Sequence, residues 1–466
     1  MPELPEVETI KNILKSLIIG KVIRDVEILY RGTIEGDLQT FRDDLKGKAF
    51  RDIARRGKFI IFHLDGGLVL LSHLRMEGKY FYHDSPSARF GEHAAVVFHF
   101  SDGTSLEYND TRKFGIMKIM RESDYLEQPP LSRLGPEPSD VTSIESLLAK
   151  MKHKSIPIKT LLLDQHFLAG LGNIYVDEVL FQTKIHPETP AKLISEKQLK
   201  AIVDAGVEVL SRAIADGGST IRSYHPSQGI DGGFQTKLSA YGREGLPCLK
   251  CHHPMRKIFV GGRGTTFCPR CQRNPDRPYV LGITGPIGSG KSLATAFFKD
   301  HGYLTLDSDQ IVRDLYSDDT IKKLIIATFG QSSYRADGGF NRDFIADVII
   351  SDASKKRRLE KILHPRVKEA IAKAIKDASK AQSIAIEVPL LFEAGLDDLC
   401  DETLYIDIAR KEQMKRLIQR PYPVAKSLAL NAGFDAAQDK KIATYVIDNS
   451  GSIDDLEAAL SKILHQ

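Results

Sequence analysis

The sequence predicts a multidomain chain: an antiparallel β-sandwich or barrel first, then a helical region, a small cysteine module, and an α/β domain with a parallel sheet. Three observations carry this. Short β-like runs separated by Gly-rich turns fill residues 1–130. Two Cys-x2-Cys pairs lie together between residues 246 and 273. From Tyr279 the pattern becomes apolar strand, glycine-rich loop, helix. A length of 466 residues accommodates about three domains of roughly 150 residues.

The β runs include Lys58–Leu64, Leu68–Leu74 and Ala95–Phe100, with Asp65-Gly66-Gly67 and Ser101-Asp102-Gly103 as turns. A proline-rich stretch from Gln128 to Pro138 closes this region. Residues 131–245 follow, with helical apolar spacing over Ile144–Met151, Ile158–Phe167 and Ala201–Ile214. The span from Gly217 to Gly245 is glycine-rich and polar, as a loop would be. The cysteine module occupies 246–273, Asn274–Pro278 is expected to be a linker, and the last domain runs over 279–466.

The chain has no run of about 18 apolar residues, and its acidic start, MPELPEVETI, is no secretory signal. A cytoplasmic protein with no membrane partner, acting as a monomer, is expected. In that compartment cysteines serve as metal ligands rather than disulfides. Cys400, alone in the second half, is expected to be a buried or neutral thiol. Net charge is uneven. Residues 1–278 carry 39 Lys and Arg against 34 Asp and Glu, whereas the rest carries 26 against 27. Residues 248–278 concentrate Lys250, Arg256, Lys257, Arg263, Arg270, Arg273 and Arg277 around one acid, Asp276. Such a cluster is either a solvated face or the footprint of a polyanion.

Cys248-x2-Cys251 and Cys268-x2-Cys271 are sixteen residues apart, the spacing of a four-thiolate structural zinc site on a β-hairpin. The hairpin carries Arg256, Lys257 and Arg263 among Gly261, Gly262 and Gly264, so zinc would hold a DNA-contacting element.

At the N-terminus, removal of Met1 would expose the secondary amine of Pro2. An α-amino group titrates near ~7.7–8, against ~10.4 for lysine, so more of it is neutral and nucleophilic at pH 7. Such an amine can form a Schiff base with an anomeric carbon, and Glu3 is placed for proton transfer. The same residues would also suit a helix start.

Three internal motifs join these: Arg55-Arg56-Gly57-Lys58-Phe59, Asn109-Asp110-Thr111-Arg112-Lys113-Phe114-Gly115, and Gly170-Leu171-Gly172-Asn173-Ile174-Tyr175-Val176-Asp177-Glu178. Together with PELPEVE and the cysteine pairs, residues 2–273 resemble bacterial formamidopyrimidine-DNA glycosylase. The resemblance implies an antiparallel β-sandwich, a helix–two-turn–helix domain and a zinc-finger hairpin that act on damaged double-stranded DNA. It implies excision of oxidised purines, 8-oxoguanine and formamidopyrimidines, and β,δ-elimination at the abasic site. Pro2 would be the nucleophile and Glu3 the general acid/base. Lys58 would assist β-elimination and Arg263 δ-elimination. Met76, Arg112 and Phe114 would fill the gap left by the flipped nucleotide. His93 and Lys159 would bind backbone phosphate, with Asn173 in the turn that approaches it. The loop around Gly217–Gly233 would close over the extruded base. Taken singly, Met76 and Phe114 could be core, Arg112 a structural ion pair, Asn173 a helix cap and His93 a surface residue.

In the last domain, strand Val280–Thr284 leads into Gly285-Pro286-Ile287-Gly288-Ser289-Gly290-Lys291-Ser292 and then a helix, the context a phosphate-binding loop demands. Backbone N–H groups around Gly285, Gly288, Ser289 and Gly290 would cradle ATP phosphates, Lys291 would reach the β/γ oxygens, and Ser292 would bind Mg²⁺. Asp307 and Asp309 follow the second apolar run, and Ile384–Glu393 is a further strand and turn. His364-Pro365-Arg366 is expected just before a helix. Arg410, Lys411, Lys415, Arg416 and Arg420 suit a phosphate-closing lid or a solvated helix face. With Val388–Glu393 and Ile447–Asn449, residues 280–463 resemble dephospho-CoA kinase. That implies transfer of the ATP γ-phosphate to the 3′-hydroxyl of dephospho-CoA, with Asp309, or else Asp307, as base. Between Pro421 and Lys440 the chain departs from the family's usual element. Two other readings are an ATP-driven repair protein and a DNA-binding module fused to a different P-loop kinase. The near-neutral second half opposes the first, and the intact Pro2, Glu3 and Lys58 oppose the second.

Overall fold

The computed structural model describes residues 2–85, 89–218, 233–419, 423–424 and 435–464. Most of the Gly217–Gly233 loop, Arg420 and most of the divergent 421–440 segment therefore lie outside the described residues. The chain divides into two compact units, Met1–Lys250 with Met255–Cys268, and Cys251–Pro254 with Pro269–Gln466.

The first unit opens with the helix Leu4–Ile18, which buries Val7, Ile10, Leu14 and Ile18 along one face. This stripe meets strands rich in β-branched and aromatic residues: β1 (Ile23–Ile28), β2 (Phe50–Arg56), β3 (Phe59–Leu64), β4 (Leu68–His73), β5 (Lys79–His83), β6 (Ala94–Phe100), β7 (Ser105–Asn109) and β8 (Ile116–Arg121). They form two four-stranded antiparallel sheets, ordered β1-β6-β7-β5 and β2-β3-β4-β8. Phe50, Phe62, Phe98 and Phe100 meet edge to face in the core between them. The sandwich expected from the alternating runs is therefore present.

The helical region has a separate core built on Ile144–Met151, Ile158–Leu162, Asn173–Gln182 and Glu196–Ala215. The expected helix Ile158–Phe167 stops at Leu162. Beyond it Gln165 turns the chain with its own side chain, donating to Leu163 and Leu171 carbonyls and accepting from Gly170 N–H. Strands β9 (Arg256–Val260) and β10 (Arg263–Phe267) make the expected hairpin.

The second unit holds a five-stranded parallel sheet of β11 (Tyr279–Thr284), β12 (Leu304–Asp307), β13 (Ser383–Glu387), β14 (Glu402–Asp407) and β15 (Tyr445–Asp448), ordered β12-β13-β11-β14-β15. The order reverses direction beside β11, and ligands of such sheets sit at the strands' C-terminal ends at that point. Segment 274–278 is packed onto this unit: Arg277 pairs with Asp401 and Asp276 with Lys380. His364-Pro365-Arg366 does not precede a helix. It lies inside the helix Ala353–Asp377. Pro365 costs that helix one backbone hydrogen bond, and the buried row Leu359, Leu363, Val367, Ile371, Ile375 holds the helix in place.

Candidate active sites and metal centre

In the first unit a cavity of about 340 Å³ is lined by Glu3, Lys58, His73, Arg75, Met76, Leu163, Gln165, Gly172, Asn173, Ile174, Tyr241 and Arg263. Pro2, half-buried, immediately precedes Glu3. The Glu3 carboxylate accepts from Ile174 N–H at 2.9 Å and Tyr175 N–H at 3.4 Å, so it sits at the N-terminus of helix Asn173–Gln182. Its own N–H donates to Glu6 at 2.8 Å. A Cβ on Gly172 would lie 2.3 Å from the Glu3 carboxyl carbon, so the glycine is what allows this approach. Burial pushes Glu3 up to about 7, against the pull of the Lys58 cation. Lys58 is itself buried, donates to the Leu171 carbonyl at 2.8 Å, and is lowered by desolvation. Arg263 is exposed on β10 and faces the same cavity.

Met76, Arg112 and Phe114 come together. The Arg112 guanidinium reaches the Met76 sulfur at 3.1 Å and lies 5.1 Å from the Phe114 ring centroid. Phe114 is 53% exposed, so it is not core. Asp110 fixes the turn beneath them by accepting the N–H groups of Arg112, Phe114 and Gly115 at 3.0, 2.9 and 2.7 Å. His93 is half-buried before β6, and its carbonyl accepts the Asp110 N–H. Asn173 opens the Asn173–Gln182 helix and lines the cavity.

Lys159 requires a correction. Its side chain is 0% exposed, and its Nζ lies 2.6 Å from Asp177, also fully buried, and 3.3 Å from the Gly264 carbonyl. An ammonium enclosed in this way has no surface from which to hold a phosphate. Conversely, sequence reasoning passed over His73, Arg75, Gln165 and Tyr241. His73 accepts the Arg75 N–H at 2.9 Å and is pushed down to about 3 by burial and by the Arg75 and Lys58 charges, so it is a neutral imidazole. Its signal was its place at a strand end three residues before Met76. Tyr241 is held by Glu178, whose carboxylate accepts the N–H groups of Ser239, Ala240 and Tyr241.

The sulfurs of Cys248, Cys251, Cys268 and Cys271 all lie within 4.8 Å of one another. Tetrahedral zinc at Zn–S of about 2.3 Å needs sulfurs about 3.8 Å apart, so the set fits the ion and leaves no open position for catalysis.

In the second unit β11 runs into the loop Gly285–Gly290. A Cβ on Gly285 would lie 2.3 Å from the Ile406 carbonyl, and Gly290 has a φ of +99°. The Lys291 Nζ donates to the Gly285 and Pro286 carbonyls at 2.9 and 3.2 Å, and Ser292 donates to Glu387 at 2.8 Å. Glu387, at the end of β13, is a functional candidate that the sequence left unassigned. Asn449 donates to the Ser289 carbonyl, Gln413 to the Ile287 carbonyl, and Arg416 to the Asn449 carbonyl. Of the basic lid residues described, Arg416 alone lines the cleft of about 710 Å³ beside the loop. Lys415 pairs with Glu412 and Arg410 donates to Gln413.

Asp309 lines this cleft and also an adjoining cavity of about 170 Å³ walled by Leu359, Leu363, His364, Val367, Val388 and Leu396. Desolvation and the neighbouring Asp307 raise its pKa, and Lys291 opposes them. Asp307 is committed elsewhere: it caps the helix Ser308–Leu315 through Asp309 N–H and lies 3.3 Å from Arg313.

An N-terminal Pro2 beside a buried acid, an exposed Met76–Arg112–Phe114 cluster and a basic four-cysteine hairpin fit a DNA glycosylase with lyase chemistry. A phosphate loop lining a cleft that shares an aspartate with an adjoining cavity fits a P-loop kinase. Comparison with known proteins is consistent with both. The formamidopyrimidine-DNA glycosylase N-terminal domain model matches residues 1–117, and the H2TH domain model of the same enzyme matches 134–225. The zinc finger found in FPG and IleRS matches 245–274, and the dephospho-CoA kinase model matches 279–455. The formamidopyrimidine-DNA glycosylase of Ligilactobacillus salivarius is 47% identical over 273 residues, 58% of this chain and 99% of that protein. That of Bacillus licheniformis is 45% identical over 276 residues, 59% of this chain and 100% of its own. A solved complex of the Lactococcus lactis FPG mutant G226P with Fapy-dG-containing DNA is 38% identical, with a TM-score of 0.56, covering 59% of this chain and 100% of that one. The chain belongs to the formamidopyrimidine-DNA glycosylase family and continues into a dephospho-CoA kinase domain. Among the described residues, no helix is long and apolar enough to cross a membrane.

Proposed function

We propose that the first unit excises oxidised purines from double-stranded DNA through a Pro2 Schiff base. The carrying observation is the convergence of Glu3, Lys58 and Arg263 on one cavity directly after Pro2. The Pro2 amine attacks C1′ and the damaged base leaves. With a pKa of about 7, Glu3 is present in both protonation states near neutrality, so it can give a proton and later take one back. Lys58, whose pKa is lowered by desolvation, serves the β-elimination, and Arg263 the δ-elimination. Met76, Arg112 and Phe114 fill the duplex where the nucleotide leaves, and His93 and Asn173 flank the phosphates. The four cysteines hold zinc, which supplies only the fold of the hairpin.

The second unit phosphorylates the 3′-hydroxyl of dephospho-CoA. Asp309 accepts the hydroxyl proton, because it faces both cavities while Asp307 is occupied as a helix cap. Gly285, Gly288, Ser289 and Gly290 line the phosphates and Lys291 bridges them, with Ser292 and Glu387 placed to hold Mg²⁺. A metal ion held there would supply charge neutralisation to the phosphates. Among the described residues both sites are lined by this one chain, in keeping with a monomer. The test is to trap the DNA adduct with borohydride and to follow ATP consumption with dephospho-CoA, with damaged DNA, or with neither. One added N-terminal residue should abolish trapping, and ATP should be consumed with dephospho-CoA alone. Undiminished trapping, or ATP use driven by DNA, would overturn the respective half.

A further inference from the structure

The buried pair Lys159–Asp177 lines neither the glycosylase cavity nor the kinase cleft, and its side-chain bonds beyond the pair run to one strand. The Lys159 Nζ donates to the Gly264 carbonyl at 3.3 Å and to Asp177 Oδ1 at 2.6 Å. Asp177 Oδ2 accepts the Thr266 N–H at 3.0 Å. Asn173 Nδ2 donates to the same Gly264 carbonyl at 3.0 Å. Gly264 follows Arg263 in β10, and Arg263, the first residue of β10 after the hairpin turn, lines the cavity. Three side chains of the helical region thus grip the backbone one and three residues beyond Arg263. The β9–β10 ladder alone ties Arg263 only to its own hairpin. The pair is what registers that hairpin against the helix whose N-terminus holds Glu3. A buried ion pair contributes little net stability over apolar substitutes but specifies one geometry.

We propose that Lys159 and Asp177 are positioning residues for Arg263, setting the efficiency of the second elimination. In that step a proton leaves C4′, the C5′–O bond breaks, and the departing phosphate carries the electron pair. A guanidinium at fixed distance stabilises the leaving charge. The proposal rests on the assignment of Arg263 above. Neither Pro2 nor Glu3 takes part in these hydrogen bonds, so Schiff-base formation should depend on them far less than the second elimination does.

The test uses the full chain with zinc bound: Asp177→Asn, Lys159→Met, the double variant and Arg263→Ala, with zinc content and thermal unfolding as controls. The double variant leaves no unpaired buried charge, which guards against a folding failure. In the Lys159 and Asp177 variants borohydride trapping should stay within about twofold of the parent, whereas the ratio of β- to β,δ-elimination product should rise on the order of tenfold to a hundredfold, the cost of ~1 Å misplacement. Arg263→Ala should shift the ratio at least as far. A shift in Arg263→Ala with none in the double variant would overturn the positioning role alone. Trapping and δ-product falling in equal proportion would also overturn it, as general damage. An unchanged ratio in Arg263→Ala would overturn the assignment of Arg263, and this role with it.

Discussion

In the glycosylase cavity the working charges are buried: Glu3 and Lys58 expose almost nothing, and each is shifted by desolvation toward its neutral form. In the kinase cleft Ser292, Asp307 and Asp309 are open to solvent, whereas Lys291, Asn449 and Gln413 are buried and each donates to a carbonyl of the phosphate loop. The contrast follows from the two chemistries. Moving protons at pH 7 requires side chains whose pKa values are brought there by burial. Phosphoryl transfer requires fixed donors around a charge that arrives with its own cation, so the protein invests in loop geometry.

Four experiments press on this contrast, from the largest effect to the smallest. Glu3→Gln should lower base excision by about 10²–10⁴-fold, the range for a lost general acid/base, with phosphorylation untouched. Lys291→Ala should lower dephospho-CoA phosphorylation by about 10²–10³-fold while excision continues unchanged, because the stabilised charge lies only on the phosphates. Loss of excision in that variant would show that the two centres are not independent. Phe114→Ala should weaken binding to lesion-containing duplex by roughly tenfold, near the ~1–3 kcal/mol of one base–aromatic contact, as measured by titration. Lys58→Met should move the pH inflection of base release that Glu3 sets near 7 toward higher pH. The sign follows from the cation: Lys58 favours the ionised carboxylate, so removing it holds Glu3 protonated to higher pH. An inflection that stayed in place would detach Glu3 from the profile.

Motifs confined to short stretches were legible in the sequence. The cysteine spacing, the phosphate loop and the sandwich runs each depend on residues within one or two elements, and the structure assembles them as expected. The wedge was legible only as a set, since nothing in Phe114 alone predicts that it stands exposed. What escaped depends on contacts far apart in the chain. Lys159 was given a phosphate by the resemblance, because its enclosure depends on Asp177 in another helix and on the Gly264 carbonyl of the hairpin. Glu387 gained meaning when β13 settled beside β11 and brought it to Ser292. His364 was misplaced because a proline signals a helix boundary, whereas the apolar row in Ala353–Asp377 keeps the helix continuous through Pro365.

The Asp110 turn has a bearing on how undamaged DNA is passed over. Its three accepted N–H groups fix the backbone under Arg112 and Phe114 before any duplex arrives, and a Cβ on Gly115 would strike the Tyr108 hydroxyl. If this cluster enters the duplex as proposed, a probe that is already rigid would lose little chain entropy on insertion, so each encounter along the duplex could be brief. The variable quantity is then the DNA: a step that resists unstacking expels the probe, and a weakened one yields. Sorting of base pairs during sliding would accordingly be governed by the mechanical compliance of the double helix, before any atom of the lesion reaches the chemistry.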